Sequence, residues 1–64
     1  MSNIVGENIY TLRKNRGLTQ EKLAELVNVS FQAVSKWENG NSVPDVSVLP
    51  LLANALHCSI DFLL

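Results

Sequence analysis

The stretch from Thr19 to Gly40, TQEKLAELVNVSFQAVSKWENG, constrains the fold of this chain more than any other part. Apolar residues recur in it at helical spacing in two short segments, which are separated by only a few residues. Asn28 is well suited to the turn between them, because asparagine tolerates a positive φ better than other non-glycine residues. Residues 20–39 are therefore predicted to form two helices joined by a tight turn.

Residue types at the ends of the two segments mark where each helix begins and ends. Thr19 and Ser30 precede the apolar patterns and can accept hydrogen bonds from free N–H groups of a first helical turn. Gly40 suits a left-handed residue after the second helix. A step of about 100° per residue places Val34 and Trp37 on the inner face of that helix. The opposite face carries polar side chains: Gln32, Lys36 and Asn39.

The rest of the chain also has helical periodicity, and strand alternation does not stand out. A first helix is predicted from about Ile4 to Asn15. A fourth follows Asp45 or Ser47, with Pro50 in its opening turns because proline deeper in a helix removes a hydrogen bond. A last short helix is predicted for residues 60–64. Together these elements predict a single all-α domain covering residues 1–64.

Composition excludes several classes of protein. Hydrophobic residues make up 47% of the chain but form no apolar run near the roughly 20 residues that a membrane span needs. The one cysteine, Cys58, precludes an internal disulfide and is too little for a zinc site. A secretory signal is not evident at the N-terminus. The chain is thus predicted to be cytoplasmic, away from membranes and without a cofactor or metal.

The inventory of reactive groups also argues against an enzyme. We find no paired-carboxylate site, no nucleophile with an ordered base and no glycine-rich phosphate loop. A core of this size is too small for a substantial pocket. Binding is therefore a better expectation than catalysis.

Positive charge is scarce but concentrated. The formal net charge is −1, and the basic residues all fall between Arg13 and Lys36. After Trp37 the charged residues are acidic: Glu38, Asp45 and Asp61. A local basic surface can still attract phosphates, although few contacts give weak non-specific affinity for one copy.

Residues 18–40, LTQEKLAELVNVSFQAVSKWENG, resemble the Cro/C1-type, or XRE-family, phage-repressor-like helix-turn-helix DNA-binding domains. The order and spacing of L-T-Q, the turn and V-S-K-W-E-N-G carry the resemblance, which extends from GENIYTLRK to PLLANALHCSIDFLL. It implies a compact five-helix bundle, lambda-repressor-like, with its third helix in the major groove. The implied function is sequence-specific binding of double-stranded DNA as a transcriptional regulator, with repression expected.

The resemblance assigns base contacts to the start of the third helix and to positions one helical turn later. In this sequence those positions hold Phe31, Gln32, Ser35 and Lys36. Gln32 can pair with adenine N6 and N7, and Lys36 with guanine O6 and N7. Phe31 can cover a thymine methyl group, with packing over the turn as the alternative.

Other matching positions imply contacts that hold the protein on DNA without reading sequence. Neutral side chains occupy the expected phosphate contacts: Gln20, Ser30, Asn39 and Ser42. The family pattern also pairs Arg13 with Glu38 in a partly buried ion pair between the first and third helices. His57 stands at a helix end where the family often has glycine.

The C-terminal residues are more apolar than so small a core needs, and they predict a protein interface formed by Ile60, Phe62, Leu63 and Leu64. In related domains this end forms a two-fold contact on DNA, so a homodimer on a palindromic operator is expected. An effector domain or partner protein is a further expectation if the chain is a fragment. The acidic balance leaves an alternative open: a protein-interaction module of the same fold, for example antitoxin-like or domain-docking, with weak or no DNA binding.

Overall fold

The computed structural model of the protein describes residues 4–63, and the regular structure among them is entirely helical. The α-helices are α1 (Ile4–Asn15), α2 (Gln20–Val27), α3 (Phe31–Asn39), α4 (Leu49–Leu56) and α5 (Ile60–Leu63), and a 3₁₀ turn (Val46–Val48) precedes α4. This confirms the predicted all-α architecture of five helices. Within residues 4–63, each helix is too short or too polar to cross a membrane.

Side-chain caps start the two helices at the centre of the fold. The Thr19 hydroxyl oxygen accepts a hydrogen bond from the backbone N–H of Lys22 at 3.0 Å. The Ser30 hydroxyl oxygen accepts one from the backbone N–H of Ala33 at 3.2 Å. Each cap satisfies an N–H group that has no partner inside its own helix, which is why α2 and α3 begin where the sequence predicts.

Left-handed residues end three of the helices. Asn28 has a φ of 64° after α2, Gly40 a φ of 81° after α3 and His57 a φ of 57° after α4. At each position the backbone N–H returns to carbonyl groups of the last helical turn. Asn28 therefore produces the tight turn that brings α3 back across α2, as predicted.

The core lies where the five helices meet. α2 packs against α3 and α4, while α1 packs against α3 and α5. Trp37 is buried among aliphatic side chains, which confirms its predicted place on the inner face of α3. The buried apolar residues are Ile9, Leu23, Ala24, Val27, Val34, Trp37, Leu49, Leu52, Ala53, Leu56 and Leu63.

Leu63 corrects one sequence-based expectation. Its side chain is 0% exposed, whereas that of Phe62 is 59% exposed and Ile60 is also at the surface. The prediction that Leu63 contacts a second copy is therefore wrong, because a four-residue helix needs one inward anchor and Leu63 provides it. Asn8 of α1 holds the same segment by donating to the carbonyl oxygens of Phe62 and Leu63, at 3.0 and 3.3 Å. Leu64 lies outside the described residues.

An ion pair joins α1 to α3 beside the core. Arg13 Nε donates to Glu38 Oε2 at 2.7 Å and Arg13 Nη2 to Glu38 Oε1 at 3.0 Å, with the two side chains only 9% and 5% exposed. Arg13 Nη1 donates to the carbonyl oxygen of Leu18 at 2.8 Å, so the guanidinium also holds the loop before α2. The hydrogen bonds that Arg13 donates to Glu38 raise the pKa of Arg13 above its ordinary value. The pair thus fixes three helices relative to one another.

Glu38→Ala is expected to lower the free energy of unfolding by about 3 kcal/mol, because it leaves the buried guanidinium of Arg13 without its carboxylate. The matched control is Glu25→Ala, which removes an exposed carboxylate paired with Lys22 at 3.1 Å and should cost less than about 1 kcal/mol. Urea denaturation followed by circular dichroism measures both values. Equal losses would show that the Arg13–Glu38 pair adds no more than a surface pair does.

Candidate nucleic-acid interface

The face of α3 that points away from the core is a continuous exposed surface. Val34 and Trp37 anchor the helix in the core, so the side chains of Gln32 and Lys36 on the opposite side are exposed. Phe31, at the first position of the helix, is also exposed and is not packed into the core. The start of α3 thus exposes an aromatic ring and an amide, and an ammonium group follows one helical turn later.

Ser35 and Asn39 continue this face towards the C-terminal end of α3. Ser35 is half-buried, and its hydroxyl oxygen accepts a hydrogen bond from Asn39 Nδ2 at 3.5 Å. The hydroxyl hydrogen of Ser35 remains available as a donor, because a hydroxyl can donate and accept at the same time. Asn39 is exposed and keeps its amide oxygen and its second N–H hydrogen for other contacts.

Gln20, the first residue of α2, contacts the ion pair that joins α1 to α3. Its Nε2 donates to Glu38 Oε1 at 3.0 Å, so one carboxylate oxygen accepts from both Arg13 and Gln20. Only the NH₂ group of an amide can donate to a carboxylate, so this contact fixes the orientation of the half-buried Gln20 side chain. The structure thus brings one of the sequence-predicted phosphate contacts, Gln20, to the border of this ion pair.

Ser30 and Ser42 lie at opposite ends of α3. Ser30 is exposed while it caps the helix, and Ser42 is exposed beyond the left-handed Gly40. The backbone N–H of Ser42 donates to the carbonyl oxygen of Lys36 at 3.4 Å, which ties the following loop to the helix. Ile60 and Phe62 belong to α5 and are not part of the α3 face.

The loop after α3 is acidic and apolar. Asp45 Oδ2 accepts from the backbone N–H and the hydroxyl of Ser47, at 3.1 and 2.6 Å, and these bonds hold the pKa of Asp45 below its ordinary value. Asp45 therefore stays ionised and caps the 3₁₀ turn. Val43 and Val46 are strongly exposed on the same loop and form an apolar surface that helical periodicity does not predict.

Two contacts of α1 were also missed from the sequence. Arg13 Cζ lies 5.3 Å from the centroid of the Tyr10 ring, within the range of a cation–π contact. The spacing of three residues on one helix was the available signal. Arg16 Nη1 lies 3.2 Å from His57 Nδ1, across from the end of α4. This second contact joins residues far apart in the chain, so no local pattern predicts it.

Comparison with known proteins adds independent information about this surface. A helix-turn-helix family model matches residues 9–63. The c2 repressor of Salmonella phage P22, in a crystal structure with a synthetic operator, is 39% identical and superposes with a TM-score of 0.91. That match covers 95% of this chain and 92% of the other one.

Two full-length relatives show the same likeness. The chain is 41% identical to the transcriptional activator BcrR of Enterococcus faecalis over 91% of its own length and 28% of BcrR. It is 40% identical to the transcriptional regulator DicA of Escherichia coli over 94% of its own length and 44% of DicA. The chain therefore spans less than half the length of either protein. These matches agree with the geometry of α2 and α3, and the chain belongs to the helix-turn-helix family of Cro/C1, or XRE, type transcriptional regulators.

Proposed function

We propose that this chain binds a double-stranded operator sequence-specifically, with α3 in the major groove, and represses transcription by occupying it. The observation that carries the proposal is the exposed outer face of α3, where Gln32 and Lys36 project while Val34 and Trp37 hold the helix on the core. The major groove of B-DNA admits one α-helix and presents a distinct donor and acceptor pattern for each base pair. The related phage P22 repressor, which was crystallised with a synthetic operator, supports this role.

The base contacts follow from the chemistry of the α3 face. The Gln32 amide can donate to N7 and accept from N6 of adenine, and the Lys36 ammonium can donate to O6 and N7 of guanine. Phe31 offers an apolar ring edge for a thymine methyl group. Ser35 lies between these residues, and the hydroxyl of its short side chain can donate a hydrogen bond.

Neutral donors around this face would hold the duplex backbone. We assign phosphate contacts to Gln20, Ser30, Asn39 and Ser42, whose side chains can donate hydrogen bonds without a net charge. The orientation of Gln20 by Glu38 favours this role, because the amide is already ordered before DNA binds. Such contacts fix the register of α3 in the groove but carry no sequence information.

A second copy compensates for the small positive charge. One copy has few basic residues to neutralise phosphates, so its affinity for DNA is limited. Ile60 and Phe62 expose apolar surface on α5, and we propose that they contact the same residues of a second copy, with Leu64 as a further member of that interface. Two α3 helices would then enter successive major grooves of a palindromic operator, roughly 34 Å apart.

The second candidate function is protein binding with weak or no DNA binding. The net charge of −1 and the acidic loop at Asp45 favour it, because acidic groups repel phosphates. In that case, the exposed Val43 and Val46 would meet a protein partner.

Selection of bound duplexes from a random library distinguishes the two functions. We expect a palindromic sequence to emerge, and its affinity should fall as salt rises, with a slope in the logarithmic plot of about 0.9 per phosphate contact. Titrations of the selected duplex and of a scrambled duplex at several salt concentrations measure this slope. Failure to bind any duplex at low salt would reject the proposal in favour of protein binding.

Lys36→Ala should weaken binding to the selected duplex by about 1 to 3 kcal/mol and relax the preference at one base pair, because a donor to a base edge is lost. Lys22→Ala is the control, since it removes the same charge from α2 and should leave every base-pair preference unchanged. Titration against a panel of single-base variants measures both effects. A uniform loss on all duplexes would identify Lys36 as a phosphate contact.

Phe62→Ser should weaken binding to the paired site more than to an isolated half-site, because it removes apolar surface from the proposed contact between copies. Leu26→Ser serves as the control, because Leu26 is an exposed apolar residue on α2. It should change the ratio of paired-site to half-site affinity little. If Phe62→Ser weakens both sites by the same factor, α5 does not join the two copies.

A further inference from the structure

Asn39 and Gly40, at the C-terminal end of α3, form a chemically reactive pair. Of the asparagines in the sequence, only Asn39 is followed by glycine. An asparagine side chain can lose ammonia when the backbone nitrogen of the next residue attacks its amide carbon. Glycine permits this approach best, because it has no Cβ that obstructs the nitrogen. The pair therefore joins an electrophilic carbon to the backbone nitrogen that reaches it most easily.

The fold exposes this pair and holds it with long hydrogen bonds. Both residues are exposed. Asn39 Nδ2 donates to the Ser35 hydroxyl oxygen at 3.5 Å, and the Gly40 N–H donates to the carbonyl oxygen of Trp37 at 3.3 Å. Both distances exceed the usual range for such bonds. Because the end of a helix opens at a much lower free energy than the whole fold, the two reacting atoms can meet while the core stays intact.

We propose that Asn39 deamidates spontaneously in the folded protein, through a cyclic imide formed with Gly40, and that the resulting carboxylate weakens DNA binding. The Gly40 nitrogen forms a bond to Asn39 Cγ, the bond from Cγ to Nδ2 breaks, and Nδ2 leaves as ammonia with the proton that the Gly40 nitrogen gives up. Water then opens the imide. Attack at Cγ gives aspartate, whereas attack at the main-chain carbonyl carbon gives isoaspartate, in which the chain continues through the side chain.

Either product places a new negative charge at the end of α3. The helix dipole is negative there, and Glu38 is the preceding residue, so the carboxylate is unfavourable. Isoaspartate also inserts the Cβ atom into the main chain, which disturbs the left-handed cap at Gly40. Asn39 is one of the proposed phosphate contacts, so the effect on DNA binding rests on the proposed function, whereas the chemical step does not.

Incubation of the folded protein at mildly alkaline pH, followed by peptide mass spectrometry, tests the chemical step. The peptide that contains Asn39 should gain the mass that replaces an amide by an acid and should separate into aspartate and isoaspartate forms. Asn15 is the matched control, because it is the exposed last residue of α1 but is followed by Arg16. It should remain an amide. Equal conversion at Asn15, or conversion of Asn39 only in urea, would overturn the inference.

The variant Asn39→Gln assigns the reaction to one residue, because glutamine would have to close a larger ring. It should abolish the conversion of this peptide, and continued conversion would place the reaction at Asn41 and overturn the assignment to Asn39.

The variant Asn39→Asp reproduces the aspartate product and tests the effect on DNA. Its affinity for the selected duplex should be roughly tenfold lower than that of fresh unsubstituted protein, because the carboxylate repels phosphates. Incubated protein should lose affinity in proportion to its converted fraction. Unchanged affinity in both samples would overturn the second half of the inference. If fresh unsubstituted protein binds no duplex, the proposed function fails, whereas the peptide measurement still decides the chemical step.

Discussion

The buried pair of Arg13 and Glu38 is the interaction on which the arrangement of the first three helices depends. Removing two charges from water is costly, and the cost is offset only when their geometry is good and further hydrogen bonds complete it. Both conditions hold, because two parallel bonds join the side chains and Leu18 accepts from the remaining end of the guanidinium. A shift of α1 against α3 would break these bonds and leave a charge without compensation. The pair therefore makes the relative position of the helices specific as well as stable.

This rigidity has a direct bearing on DNA recognition. Glu38 accepts from Gln20, so the side chain at the start of α2 is ordered by the same group that orients α3. Proposed contacts to the DNA backbone and to the bases are thus carried on one connected framework. Preorganised contacts lose little conformational entropy on binding, which partly compensates for a chain with few positive charges.

The sequence predicts the parts of this structure that depend on local rules. The left-handed Asn28 and Gly40 and the exposed face of α3 follow from residue type and helical period. The burial of Leu63 does not, because a four-residue helix is too short to show a period. The contact of Gln20 with Glu38 joins two helices whose packing no local pattern specifies, so it is visible only in three dimensions.

The family resemblance extends the prediction further than periodicity alone could. It pairs Arg13 with Glu38, and the two residues lie in contact in the structure. It did not indicate the stacking of Tyr10 on Arg13, because that contact depends on the side chain that this particular chain has at position 10. Features that distinguish one member from its relatives therefore have to be found in the structure.

The attachment of α5 to α1 has a consequence for synthesis of the protein in the cell. Asn8 binds carbonyl groups of residues 62 and 63, and Leu63 completes the core around Ile9. The ribosome adds residues one at a time, on the order of 5 to 20 per second, so α1 cannot pack against α5 until residues 60–63 have been synthesised. Until residue 63 has left the exit tunnel, the nascent chain lacks part of its core. Stable folding of this unit should therefore follow the exit of residue 63 from the ribosome.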